Sequence, residues 1–401
     1  MAVYLLDKRK HSDLDTEFQS ALKLAYERKE RPGCLCQPQQ PPEMYIALYD
    51  GNYVVKRMPD TGQSHHPSCE HFEAPPELSG RGELIGYAIR ENTETGETTL
   101  SLGFSLSKTG NRAAPTESSS EADTVKTDGK KLNLKGFFHN LWEEAQFNRW
   151  SPKMEGKRNW ATIHKYITLK ANETIVAKKK LSELLFIPER YHDAQKEAIN
   201  ARRNAFMNEF LQPAKGPKRL AILLAEVNKI EPARFGHKLT IRQSNQVFLL
   251  HDDLHKRVTK RFETELALAS VEEKGHLMII ATFSYSSQGY ATIEEMSLLF
   301  TSEHWIPVED RFELELVREL VKQERYFDKG LRYHLGSDKP VAAALLTDTP
   351  SPVALFIELP GANDQYRGFL DSLKQESSYP VWSWDIAAGN IPQLPQKHGK
   401  P

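Results

Sequence analysis

Cysteine is nearly absent from this chain, with three residues in 401. So small and odd a number argues against a disulfide framework, and close Cys-x-Cys neighbours do not bridge each other without strain. Long apolar runs are also lacking. No stretch approaches the roughly 18 residues that a membrane-spanning helix needs, so no membrane partner is expected. The opening residues, Met-Ala-Val-Tyr-Leu-Leu-Asp-Lys-Arg-Lys, lack the apolar core of a secretory signal. The expected location is the cytoplasm, where thiols stay reduced. An excess of one charge is missing too. Lys plus Arg number 53 against 54 acids, which removes any global signature of a polyanion-binding protein.

What is present is local. All three cysteines and three histidines fall between Cys34 and His71, as Cys34-Leu35-Cys36 and then His65-His66-Pro67-Ser68-Cys69-Glu70-His71. Thiolate sulfur and imidazole nitrogen suit tetrahedral zinc, which takes four such ligands at a closed structural site. Cys34, Cys36 and Cys69 supply three ligands, and either His65 or His71 the fourth. Between the two half-sites, Met44 to Tyr49 and Tyr53 to Met58 read as a hairpin around Asp50-Gly51-Asn52. A hairpin returns the chain on itself and so brings both half-sites to one ion.

Charge is unevenly spread. Residues 153 to 215 carry 13 Lys/Arg and 7 Asp/Glu, a surplus of six. Within it, Lys153, Lys157, Arg158 and Lys165 flank the start of a helix and are the candidate phosphate contacts, although most lysine runs, such as Lys178 to Lys180, are solvated faces. The apolar residues from Leu134 to Ala145, Ile163 to Leu169 and Leu181 to Phe186 fit a helix-turn-helix or winged-helix unit.

The remaining pattern predicts an α+β multidomain protein. Residues 1–106 form a β-rich, zinc-stapled domain, with a helix over 14–30 and a second hairpin over 86–104. Residues 107–131, poor in apolar side chains, form a flexible linker. A central helical basic domain covers 132–215. An α/β domain covers 216–388, with buried strands over 219–227, 246–250 and 277–284, a helix over 253–268, and the order helix, strand, turn, strand, helix, strand from Asp310 to Trp384. Residues 389–401 are expected as a disordered tail.

Two sets of residues resemble known families. Arg31-Pro32-Gly33-Cys34-Leu35-Cys36, Met44 to Ala47, Arg57-Met58-Pro59, Thr61-Gly62, His65 and Cys69, with Leu141-Trp142-Glu143, Trp150-x-Pro152 and Lys157-Arg158-x-Trp160, are similar to the bacterial family catalogued as domain of unknown function 1173. That family occurs mainly on integrative conjugative elements and plasmids. The resemblance favours His65 over His71 as the fourth ligand, and implies conjugation or element-maintenance proteins as partners. The C-terminal part resembles the PD-(D/E)xK, restriction-endonuclease-like nuclease fold. There, two carboxylates and a lysine hold Mg2+ and activate water. Glu358 matches the second strand, Glu313 offers a helix carboxylate, and Lys374 stands for the lysine missing after Glu358. Ala342-Ala343-Ala344 occupies the place of the aspartate, and Asp348 lies too far along the turn to replace it. The site implied is degenerate.

The leading functional expectation is therefore a zinc-binding protein that binds nucleic acid, DNA above all, or a DNA transfer or processing complex without catalysis. A Mg2+-dependent nuclease using Glu358, Glu313 and Lys374 is one alternative, and a protein-interaction module is another.

Overall fold

Two long strands carry a heavy apolar load. Ala221–Pro232 opens with seven consecutive buried residues, and in His276–Tyr285 every residue from Met278 to Ser284 is buried. An unbroken run, in place of alternation, means that both faces of a strand are covered. The computed structural model describes residues 2–49, 51–108, 130–211, 216–336 and 338–398, and among them these two strands form the heart of a barrel.

The barrel strands are Ala221–Pro232 (β1), His237–Ile241 (β2), Val247–Leu250 (β3), His276–Tyr285 (β4) and Ala291–Thr301 (β5). The first half of β1 pairs antiparallel with β4, from Ala221 opposite Phe283 to Glu226 opposite Met278. Its second half pairs antiparallel with β2, and a register shift between Val227 and Lys229 separates the two. A bulge of this kind bends a strand and lets it pass from one neighbour to the next. β2 pairs with β3, β3 runs parallel to β5, and β5 returns antiparallel to β4. The order is thus 1-2-3-5-4 and back to 1, with no free edge. Leu185–Phe186 joins β1 from outside, and Pro307–Val308 joins β5. The helices Asp252–Arg261 and Glu263–Val271 fill the connection from β3 to β4.

The helix Leu134–Glu144 covers β4 and β5. Asn133 caps it by accepting from the Gly136 N–H, and Phe137, Phe138, Leu141 and Trp142 are buried along it. The Trp142 indole donates to the Trp305 carbonyl at 3.0 Å. Burying a large apolar side chain contributes about 1.5–3 kcal/mol, so this one helix face is a major support of the core. The resulting cluster runs from Leu84 to Tyr333 and draws on residues from all three of the expected domains.

A second sheet orders Arg149–Trp150, Phe327–Lys329, Ala344–Leu346, Val353–Glu358 and Val381–Asp385, antiparallel except for the last pair. The helix Arg311–Lys322, capped by the Asp310 side chain, packs Leu314, Val317 and Leu320 into a separate cluster with Trp150, Phe327 and Leu355. Residues 216–388, expected as one α/β unit, thus divide their strands between a barrel and this sheet. The N-terminal unit is smaller. Val3–Leu6, Arg9–Ser12 and Gly33–Cys34 form one sheet, and the helix Phe18–Glu27 and the hairpin Met44–Tyr49 with Asn52–Arg57 complete it.

Several expectations need adjusting. The 14–30 helix is shorter because its first turn is replaced by a Ser12–Asp15 turn, in which Asp15 accepts from the Ser12 N–H. The 253–268 helix is two helices broken at Phe262. Of the linker 107–131, Ser107–Lys108 pairs with Lys218–Arg219, and 109–129 lie outside the described residues. Residues 389–398, expected as a disordered tail, lie against the protein. Leu394 is buried in the second cluster, the Pro395 carbonyl accepts from Arg325, and the His398 N–H donates to Asp348. Local composition gave no sign of this, because the partners are some 50 to 70 positions away.

Candidate functional site

Four sulfur and nitrogen atoms converge in the N-terminal unit. Cys34 ends the strand Gly33–Cys34, held opposite Tyr4, and Cys36 follows in the turn. The hairpin then carries the chain out and back. His65 stands just after the short 3-10 helix Gly62–Ser64, and Cys69 four residues on. Their ligand atoms all lie within 4.8 Å of one another. Cys34 Sγ is 3.8 Å from Cys69 Sγ, and His65 Nδ1 is 3.3 Å from Cys36 Sγ and 3.8 Å from Cys69 Sγ. Tetrahedral bonds of about 2.3 Å to sulfur and 2.0–2.1 Å to nitrogen would separate such atoms by roughly 3.5–3.8 Å, so the set fits a four-coordinate metal.

The charges agree with the distances. The Cys34 thiol is lowered to about 3, first by the hydrogen bond from Cys69. Cys69, its partner in that bond, is raised, and Cys36 is raised chiefly by burial. The protein by itself therefore favours one thiolate here and opposes the second and third. A cation reverses that balance, since it takes three thiolates as ligands. Two backbone N–H groups, of His66 and His71, already point at the Cys36 and Cys69 sulfurs at 3.5 Å. His65 is buried and turns Nδ1 toward the Cys36 and Cys69 sulfurs, which makes Nδ1 the ligating atom, while its Nε2 has no partner among the described residues. His71 is turned elsewhere: its Nε2 meets the Tyr4 hydroxyl at 2.8 Å, and burial lowers its pKa to about 4. The cluster can hold a metal ion.

Arg149 fastens this centre to the rest of the protein. Its guanidinium donates to the carbonyls of Cys69, Glu70 and Phe72 and grips Asp328 of the second sheet, with Nε 3.0 Å from one carboxylate oxygen and Nη2 3.2 Å from the other. Nothing in the local sequence pattern marked this residue.

The remaining candidates are placed differently. Glu358 ends the strand Val353–Glu358 and pairs with Lys374 at 2.5 Å. Glu313 is not in that pair. It is buried, bound to Lys329 Nζ at 3.0 Å and to the Glu309 N–H at 2.9 Å, and burial raises its pKa. Among the described residues, the Cys34 cluster is the one group of three or more acidic, Cys or His side chains close enough to share an ion. Asp348 is committed to a buried fork with Arg325, at 2.7 and 2.8 Å. Lys153, Lys157 and Lys165 are exposed. Arg158 is turned inward. It donates to the carbonyls of Gln146, Phe147, Arg149 and His304 and lies over the Phe147 and Trp150 rings, and burial lowers its pKa to about 9.

A further surface emerges from the barrel alone. On β2 and β3, Leu239, Ile241, Phe248 and Leu250 are buried, so Lys238, Thr240, Val247 and Leu249 face outward. Lys229 of β1 is exposed beside them, opposite Thr240. The β1–β2 loop holds Arg234 over the ring of Phe235, which is 81% exposed. Gly236 closes that loop at φ 76, and a Cβ there would sit 2.3 Å from the Leu250 carbonyl oxygen. The β4–β5 loop, at the opposite end of the barrel, presents Tyr290, 59% exposed. Sequence reading missed these groups. A large aromatic in a polar turn, as in Ala233-Arg234-Phe235-Gly236, was the available signal.

Among the described residues, no helix is long and apolar enough to cross a membrane. The model of the family described as "Protein of unknown function (DUF1173)" matches residues 4–387. No curated protein and no solved structure matches the chain.

Proposed function

The chain belongs to the DUF1173 family, and on that premise we propose that it is a zinc-stapled protein that binds single-stranded nucleic acid on the outer face of β2 and β3. The observation that carries this reading is the barrel. The order 1-2-3-5-4-1, with a bent first strand, a parallel β3–β5 pair and helix between β3 and β4, is that of the oligonucleotide/oligosaccharide-binding fold. Such folds bind on the face of strands two and three, between the loops that join strands one to two and four to five. Here that face bears Lys229 and Lys238, with Glu231 between them, and the two loops bear Arg234 with Phe235, and Tyr290. Cations follow a phosphate backbone and aromatic rings stack on unpaired bases, which is the chemistry of single-strand binding. The inference from strand order is one of analogy; the aromatic and cationic groups are this chain's own.

Zinc is the metal that a closed three-sulfur, one-nitrogen tetrahedron favours. Four protein ligands leave no open position, so the ion's role is to hold the fold. Reduced thiols at that centre accord with a cytoplasmic location. The lone Glu358–Lys374 pair, with Glu313 held by Lys329, offers no group of oxygen ligands to position Mg2+, and so favours binding over hydrolysis. The family resemblance supports a role for that strand in the transfer or upkeep of a mobile element.

Fluorescence anisotropy with mixed-sequence single-stranded and duplex oligonucleotides tests the reading. Single strands should bind more tightly, and the affinity should fall steeply as salt rises, because counterions are released on contact. Equal, salt-insensitive binding, or none at low salt, overturns it.

A further inference from the structure

Beside the barrel lies a cavity of about 560 Å3 that none of the roles above uses. One wall is the loop joining β2 to β3, with Gln243, Ser244 and Asn245, and the other is the segment from Phe186 to Phe206. Its floor is apolar: Phe186 and Ile187 are buried, and the Phe186 and Phe206 rings pack 5.6 Å apart. Polar groups converge above that floor. The side chains of Asn200 and His164 line the cavity and make no hydrogen bond to any described residue. Burial lowers the His164 pKa, so its ring is neutral and offers one donor and one acceptor. Gln243 uses its carbonyl oxygen on the Tyr191 N–H, which leaves its amide nitrogen free to donate. Arg203 and Lys196 stand at the rim, and Arg203 is hydrogen-bonded to Asn245.

An apolar floor with a few convergent polar groups is the usual make-up of a small-ligand site. The particular groups narrow the ligand. Amides and a neutral imidazole, each with a donor and an acceptor, match the hydrogen-bonding edge of a nucleobase, and an aromatic floor matches its face. The rim cations match a phosphate. We propose that this cavity takes one nucleoside phosphate, its base against Phe186 and Phe206 and its edge read by Asn200 and His164. The unit is either an unpaired nucleotide of a bound strand or a free nucleoside monophosphate. The first source rests on the nucleic-acid reading above, because the wall loop joins the two strands of the proposed binding face. A strand lying across that face reaches the cavity at its end.

The test uses the full chain and two probes, a single-stranded decamer carrying one 2-aminopurine and free 2-aminopurine nucleoside 5′-monophosphate. Stacking in the cavity should quench the fluorescence with saturation. Asn200→Ala, which removes a contact to the base edge, and Asn245→Ala, which releases the Arg203 guanidinium it holds at the rim, should each weaken the quench titration about tenfold, the usual scale for losing one good contact. Thermal melting checks that both variants fold; Asn245 is exposed, so its variant remains informative where Asn200→Ala does not fold. Decamer quenching weakened in these variants, with anisotropy affinity little changed, supports the strand source. If the decamer fails to bind at all, the strand reading falls alone, and saturable quenching of the monophosphate that Asn245→Ala weakens about tenfold still supports the cavity. Quenching unchanged in both variants, or absent with both probes, overturns the proposal.

Discussion

The metal centre and the barrel face differ in how their side chains are engaged. At the centre every group is turned on another: Cys34 on Cys69, Cys36 on His65, and the backbone N–H groups of His66 and His71 on two of the sulfurs. On the face, Phe235 and Tyr290 stand exposed, and the outward-pointing Lys229 and Lys238 share the half-exposed Glu231 carboxylate, at 3.9 and 3.2 Å. A set of residues that satisfies itself stabilises the molecule and offers nothing to a partner. A set held only by solvated ion pairs and exposed rings, each worth little, can exchange those contacts for a ligand. The contrast predicts that the two regions respond oppositely to substitution.

The largest effect belongs to the centre. Cys36→Ser, or stripping the ion with a chelator, should cost several kcal/mol, because the binding energy of a structural metal is folding energy. Metal analysis should give one zinc per chain for the parent and almost none for the variant, and limited proteolysis should then cut within residues 2–75. A full zinc content in Cys36→Ser would remove the centre from the comparison.

Next is the joint that fastens the centre to the second sheet. Arg149→Met removes a guanidinium and strands the buried Asp328 carboxylate, whose pKa burial already raises. Breaking one partner from such a pair typically costs about 3–5 kcal/mol. Urea unfolding should show that loss while zinc content stays at one. Loss of the metal as well would mean that the centre depends on its mounting, and would blur the distinction.

Smaller in stability but decisive for function are Phe235→Ala and Tyr290→Ala. Each should leave the melting midpoint nearly unchanged, as exposed side chains do. Each should also weaken single-strand affinity by about 1–3 kcal/mol, the value of one stacked base. Melting curves and anisotropy on the same samples check both halves. The smallest effect is expected from Lys157→Ala and Lys165→Ala. These lysines are exposed, and a phosphate contact at either should reduce the slope of affinity against salt by about one. An unchanged slope assigns them to the solvated surface.

The same contrast explains what the sequence made legible. Cys34, Cys36 and Cys69 stood out because ligand chemistry restricts residue type, so spacing alone collected them, while the choice of His65 over His71 came from the family resemblance. The hairpin Met44–Tyr49 with Asn52–Arg57 was legible from strand alternation around a glycine turn. The buried strands β1 and β4 were found, yet not their closure, because closure depends on which strand pairs with which over 50 residues of sequence. Arg158 was misread for a related reason: a basic residue in a basic segment looks solvated, whereas four carbonyls fold around this one. The carboxylates of the C-terminal part were placed by a local pattern of strands and helices, while their real partners, Lys329 for Glu313 and Arg325 for Asp348, lie in other segments.

The second sheet begins with Arg149–Trp150, and its next strand, Phe327–Lys329, lies 179 positions further along at the Arg149–Asp328 pair. During synthesis at about 5–20 residues per second, the earlier strand emerges roughly 10–40 s before the later one exists. Through that interval its backbone hydrogen-bonding edge and the Trp150 ring have no sheet to enter. The barrel strands, all between Ala221 and Thr301, are complete before Phe327 is made. The order of assembly is thereby imposed on the nascent chain: barrel first, sheet last, with a ring closure of nearly half the protein as the late and slow event. A chain that stops short of Lys329 has all five barrel strands but leaves Arg149–Trp150 without its neighbour, an open strand that is a ready template for another such fragment.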